Sequence, residues 1–142
     1  MKEASKKIKV LFLCNHNAAR SQMAEGILKS ISDDRYHVES AGNNPSSLNP
    51  YAVKVMAEIG VDISKQRSKN IEEFEGITFE YVATVCGGVG ETCPVFLGGK
   101  NYFQQPFEDP VSVEGTDNEK IMFFRSIRDE MKVWIEKTFI KG

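Results

Sequence analysis

The 142-residue sequence lacks a long hydrophobic run, an excess of charge of one sign, and an even set of cysteines. No segment approaches the apolar length of a membrane span. The run Val10–Leu13 is too short for the core of a signal peptide and leads directly into polar residues. These absences argue against a membrane and against secretion, so the expected compartment is the cytoplasm, where thiols stay reduced. A net charge of −2 marks neither nucleic acid nor a lipid surface as a partner. Lys2, Lys6, Lys7 and Lys9 read as a solvated basic tail ahead of the first strand. There is no internal repeat, low-complexity tract or composition break, so residues 1–142 are expected to form a single domain with its own core.

The cysteine count is odd: Cys14, Cys86 and Cys93. That is a poor structural disulfide framework, and in a reducing compartment cysteines at loop positions often carry chemistry. Each one alone also reads as a small buried hydrophobe. A zinc site from Cys14, His16, Cys86 and Cys93 has suitable ligand types but lacks the C-x2-C spacing of structural zinc. No metal is expected.

Strand and helix patterns alternate along the chain. Residues 7–14, "KIKVLFLC", read as a buried strand. Met23, Ala24, Ile27, Leu28 and Ile31 have helical spacing within residues 21–32. "YHVES" (36–40) reads as a second strand, and "SAGNNPSSLNP" breaks the pattern. The next helix has Asn49 as cap, Pro50 at its first position and Gly60 at its end, with Ala52, Val55, Met56 and Ile59 facing inward. "FEYVATV" (79–85) is a third strand, and a short fourth lies near Tyr102–Gln104. Thr116 and Glu119 form a capping box for a last helix with Ile121, Phe124, Ile127, Met131, Trp134, Ile135 and Thr138 on its apolar face.

This alternation predicts an α/β fold with a parallel sheet covered on both faces. Such sheets bind ligands at the carboxyl ends of their strands. Cys14 directly follows the first strand, Cys86 the third, and Asp109 lies beyond the fourth. All three are therefore expected on one edge of the sheet.

Between strand one and helix one, Cys14 and Arg20 bracket a C-x5-R loop. The first amides of the following helix lack intrahelical partners, and with the helix dipole they favour an anion. Arg20 adds a planar fork that can grip a tetrahedral oxyanion. The same positive potential favours the thiolate of Cys14, and Ser21 can donate a hydrogen bond to it. Asn15 and Asn17 suit the left-handed backbone that wrapping an anion requires. His16 reads as an exposed loop residue. The oxyanion-binding set is thus Asn15, His16, Asn17, Ala18, Ala19, Arg20 and Ser21.

"VLFLCNHNAARSQMAEG", "ESAG", "LNPYAV", "VDIS", "TVCGGVGETCP" and "FEDP" together resemble the thioredoxin-coupled arsenate reductases, which share the fold of low-molecular-weight protein tyrosine phosphatases. The resemblance implies a three-layer fold with a four-stranded parallel sheet, order 2-1-3-4, flanked by helices. It implies that Cys14 attacks arsenate while Arg20 and the loop amides hold the oxyanion, and that Asp109 protonates the leaving oxygen. It further implies that Cys86 attacks Cys14, that Cys93 attacks Cys86, and that thioredoxin reduces the resulting Cys86–Cys93 disulfide. No bound cofactor is implied. The glycines of "GGVGET", between Cys86 and Cys93, suggest a segment that rearranges over about residues 87–99.

Several positions depart from the pattern. Many relatives carry Gly at His16 and Ser at Ala18, and Ala19 replaces a loop cysteine found in some. Some relatives bind potassium beside the loop. Asn17, Glu25 and Ser40 match part of that ligand set, while Lys69 falls where others have an acidic ligand, so its ammonium could take the cation's place.

Two rival readings stay open. A tyrosine phosphatase would use Cys14, Arg20 and Asp109 in the same way, but Val111 and Ser112 follow Asp-Pro here, and residues 43–48, "NNPSSL", carry no aromatic wall. A non-catalytic oxyanion or redox-sensing module would have no use for Asp109. Nucleotide binding lacks its glycine-rich patterns.

Overall fold

The structure is a computed structural model in which residues 7–32, 34–87 and 93–140 are described. The centre of the segment expected to rearrange, residues 88–92, lies outside the described residues. The elements are β1 (Ile8–Leu13), α1 (Arg20–Ile31), β2 (Tyr36–Ala41), α2 (Pro50–Ala57), β3 (Phe79–Thr84), β4 (Gly99–Gln104) and α3 (Asp117–Ile135), with short 3-10 turns at Ile71–Phe74 and Pro110–Ser112. All neighbouring strands are parallel, in the order β2-β1-β3-β4.

The unbroken apolar run of β1 follows from burial on both faces of a central parallel strand. Val10 and Phe12 pack with Cys14 against the inward residues of the three helices, among them Met23, Ile27, Val55, Met56, Phe124 and Met131. Leu11 and Leu13 point the other way, into a smaller cluster with Phe74, Phe79, Val82 and Phe96. The α-helical layer thus covers one face. Among the described residues, the second face is covered by the Ile71–Phe74 turn and the chain around Phe96.

The helix ends follow the local chemistry of the chain. The Asn49 side chain accepts from the amides of Tyr51 (2.8 Å) and Ala52 (3.2 Å), and Pro50 opens α2. The helix closes as the sequence predicts. The amide of Gly60 returns to Ala57, that of Val61 returns to Met56, and Gly60 takes the left-handed φ of 79° that this closure needs. Thr116 and Glu119 form both bonds of the capping box of α3.

The far end of α3 differs from expectation. A wider turn, Glu136–Ile140, follows it. Phe139, not Thr138, is buried there, in line with Met131 and Ile135 on the i+4 row. Its ring meets Phe12, Tyr36, Tyr81, Phe103 and Trp134 edge-on at 5.7–5.9 Å between centroids.

Glu58, just beyond α2, ties that helix to α3 through Arg125 (2.8 Å) and Arg128 (2.9 Å). Their hydrogen bonds, that of Arg125 foremost, hold the Glu58 carboxyl down from the ordinary 4.5 to about 2. A depressed carboxyl contributes stability that is full above its unfolded value and is lost as pH falls through its folded value. Between about pH 4.5 and pH 2 the melting temperature of the native chain should fall more steeply than that of Glu58→Gln. Parallel melting curves across that window would show that the Glu58 cluster does not couple stability to acid.

Candidate active site

Backbone bonds gather the ends of three strands. The Cys14 amide donates to Ala41 (3.3 Å), Val85 to Leu13 (2.9 Å) and Phe107 to Val85 (3.3 Å). Cys14, Cys86 and the approach to Asp109 consequently lie on one edge of the sheet, as the sequence predicts. Arg20 is buried and donates through Nη1 to the Phe107 carbonyl at 3.0 Å. Its Nη2 lies 3.9 Å from Asp109 Oδ1. Asp109 also caps the Pro110–Ser112 turn by accepting from the Val111 amide at 3.0 Å. Helix α1 starts at Arg20, behind Ala19, without a side-chain cap and without an acidic residue in its first turn. Its amino end is thus electrostatically suited to an external anion.

Asn17 shapes the loop. It is the sole non-glycine residue with positive φ among the described residues, at 51°. The expectation that Asn15 shares this role is not met. Asn15 instead accepts from the Asn44 side chain (3.0 Å) and, through its carbonyl, from the Asn44 amide (3.0 Å), which ties the loop to residues 42–46. Gly42 is required for that contact, since a Cβ there would collide with the carbonyls of Cys14 and Asn15.

The Asn17 side chain uses all of its hydrogen-bonding capacity. Oδ1 accepts from the Lys69 amide (2.8 Å) and from Gln22 Nε2 (3.0 Å). Nδ2 donates to Ser21 Oγ (2.7 Å) and to Ser40 Oγ (2.9 Å). Each of these hydroxyls accepts from Asn17 and keeps its own proton for a further bond. Ser21 Oγ lies 2.8 Å from Cys14 Sγ, with a proton it can give to that sulfur, and Ser40 donates to Glu25 Oε1 at 2.6 Å.

Potassium does not fit here. Asn17 turns donor hydrogens toward Ser40, and Ser40 turns its proton toward Glu25. The Glu25 carboxylate already has two ammonium neighbours, Lys29 at 2.6 Å and Lys69 at 3.6 Å. A cation among Asn17, Glu25 and Ser40 would meet those positive charges. Among the described residues no cluster of three or more His, Cys, Asp or Glu could hold a metal ion.

Over Cys14 opens a cleft of about 400 Å³, lined by His16, Ala18, Ala19 and Arg20, by Ser46–Pro50, and by Asp109, Val111 and Ser112. Among the described residues no Phe, Tyr or Trp lines it. His16 is exposed and donates from Nδ1 to the Asn44 carbonyl at 3.0 Å. Cys86 and Cys93 form a disulfide with Cα atoms 6.0 Å apart. Cys86 is fully buried in the cluster that holds Cys14, whereas Cys93 is half-buried at the edge of that cluster.

Gln22, Ser46 and the Phe107 carbonyl escape a reading of the sequence. Only Gln22 leaves a signal there, as a polar residue next to the apolar stripe of α1, where burial requires internal partners.

The model of the low molecular weight phosphotyrosine protein phosphatase family matches residues 9–138. An arsenate reductase of Halalkalibacterium halodurans is 44% identical over 130 residues, which are 92% of this chain and 93% of that protein. A glutaredoxin arsenate reductase of Synechocystis is 36% identical over 94% of this chain and 97% of its own length. Among solved structures, an arsenate reductase in the oxidized state superposes with a TM-score of 0.78 at 33% identity, over 94% of this chain and 97% of that one. A thioredoxin-dependent arsenate reductase of Corynebacterium glutamicum gives a TM-score of 0.68 at 28% identity, over 98% of this chain and 65% of that one. The chain belongs to the low molecular weight phosphotyrosine protein phosphatase family and groups there with the arsenate reductases.

Proposed function

We propose that this protein is a cytoplasmic arsenate reductase that works through Cys14, Cys86 and Cys93 and is regenerated by thioredoxin. The observation that carries this reading is the Cys86–Cys93 disulfide in the same core cluster as Cys14. A phosphatase has no use for it.

In this reading the Cys14 thiolate attacks As(V) of arsenate held by the loop amides and Arg20. Asp109 gives its proton to the departing oxygen, which leaves as water and places arsenic on the Cys14 sulfur. The Cys86 thiolate then attacks Cys14 Sγ. The S–As bond breaks, its electron pair stays with arsenic, and arsenite departs, leaving a Cys14–Cys86 disulfide. Cys93 attacks Cys86 Sγ and frees the Cys14 thiolate. The external dithiol returns the two electrons by reducing Cys86–Cys93. The unequal burial of the pair suits this order, with the inner sulfur toward Cys14 and the outer one toward solvent. Thioredoxin is the proposed reductant; a glutaredoxin system, named for the Synechocystis relative, is the alternative to test beside it.

The same loop would hold phosphate, so slow hydrolysis of small phosphate esters accompanies this reading. Apart from the imidazole of His16, the cleft walls at Ser46, Ser47, Leu48, Val111 and Ser112 carry no ring to stack on a phosphotyrosine.

Three variants test these roles. Cys14→Ser should abolish arsenate reduction, and substantial turnover would rule it out as the nucleophile. Cys93→Ser should stop after one turnover with Cys14 and Cys86 joined; peptide mapping that finds no such disulfide would remove the relay. Asp109→Asn should lower kcat on the order of 100-fold, the usual span for loss of a general acid, with phosphate affinity largely kept. Loss of affinity instead would make Asp109 a loop support.

A separate variant tests the loop. Asn17→Gly keeps the left-handed backbone available but removes every side-chain bond. It should weaken phosphate binding by about ten-fold, the equivalent of one or two net hydrogen bonds. Calorimetry showing unchanged affinity would mean that the loop holds its shape without the Asn17 amide.

A further inference from the structure

Lys69 has a fixed main chain and a shared side chain. Its amide donates to Asn17 Oδ1 at 2.8 Å, and its carbonyl accepts from Gly42 at 3.0 Å. Its largely buried ammonium lies between two carboxylates, 3.6 Å from Glu25 Oε1 and 3.5 Å from Glu39 Oε1. Both separations exceed the length of a direct charge-assisted hydrogen bond. Glu39 is one-quarter exposed, and its other oxygen meets His37 Nε2 at 3.0 Å.

Glu25 Oε1 is also the acceptor of the Ser40 hydroxyl, at 2.6 Å. Two donors therefore face one oxygen, and the second carboxylate keeps the ammonium from closing on it. We propose that Glu39 is a positioning residue for the oxyanion loop: it draws Lys69 back from Glu25, so that Ser40 keeps its bond to Glu25 and its place under Asn17. Without the Glu39 charge, among the described residues Glu25 is the one carboxylate left within 4.0 Å of the Lys69 ammonium, which closes on Glu25 Oε1 and displaces the Ser40 proton. Ser40 is one of the two hydroxyls that receive Asn17 Nδ2, and the other is Ser21, which is hydrogen-bonded to Cys14. The disturbance therefore reaches the loop without Glu39 touching the bound anion.

This inference rests on the reading of the Cys14 loop as an oxyanion site, and its test does not require arsenate reduction. Inorganic phosphate binding is measured by calorimetry on the reduced full chain, for the native sequence, Glu39→Gln, Glu39→Asp, Lys69→Met and the Glu39→Gln/Lys69→Met double variant. Glu39→Gln should raise the phosphate Kd about five-fold, and Glu39→Asp should recover part of the loss. Where arsenate is reduced, Glu39→Gln should raise KM by a similar factor with kcat within about two-fold. In the double variant Glu39→Gln should add nothing to Lys69→Met, because its effect runs through that ammonium. Native affinity in Glu39→Gln, or independent effects that multiply in the double variant, would overturn the assignment. A native chain that binds phosphate, responds to Glu39→Gln and fails to reduce arsenate would refute the proposed function while supporting the role of Glu39.

Discussion

The hydrogen bonds from the Asn17 amide nitrogen to two serine hydroxyls set the character of the whole site. They hold a non-glycine residue in the left-handed region, where an L side chain is disfavoured unless its surroundings compensate. They also leave each serine its own proton for a further bond. Ser40 offers its proton to Glu25 and Ser21 is hydrogen-bonded to the Cys14 sulfur, so the loop geometry and the surroundings of the nucleophile share one cause.

That constraint explains the unusual first half of α1. Arg20, Ser21, Gln22 and Glu25 are buried, although the helix needs only its apolar stripe for packing. Each has an internal partner: a Phe107 carbonyl, the Cys14 sulfur, the Asn17 and Arg67 acceptors, and Lys29 with Lys69. Buried polar groups are costly unless satisfied. Here their satisfaction ties the first helix, the second strand and the segment around Lys69 into one support for the loop. The sheet contributes by placing Cys14, Cys86 and the chain toward Asp109 at adjacent strand ends.

Local chemistry is the part most legible in the sequence. The Asn49 cap, the Gly60 closure and the Thr116–Glu119 box all form, because each depends on a few neighbouring residues. The strand order and the placement of Cys14, Cys86 and Asp109 were also legible, through the apolar runs and the resemblance carried by the loop. What was not legible depends on packing. Thr138 and Phe139 lie three and four residues beyond Ile135, so helical spacing admits both to the inward face, and the aromatic partners of Phe139 decide between them. Asn15 and Asn17 have equal intrinsic tolerance for the left-handed region, and only tertiary partners decide between them. The ammonium of Lys69 beside Glu25 could be anticipated by comparison, but its sharing with Glu39 required the strand register and the loop to be seen together.

The family relationship leaves one chemical division to settle, between an oxyanion loop that cleaves phosphate esters and one that passes electrons to arsenic. The most direct measurement is arsenate-dependent NADPH oxidation with thioredoxin and its reductase, run beside a glutaredoxin system and beside aryl phosphate hydrolysis. A relay through Cys14, Cys86 and Cys93 predicts steady NADPH oxidation that requires arsenate and thioredoxin, with only slow ester hydrolysis. Rapid ester hydrolysis without arsenate-dependent NADPH oxidation in either reducing system would contradict it.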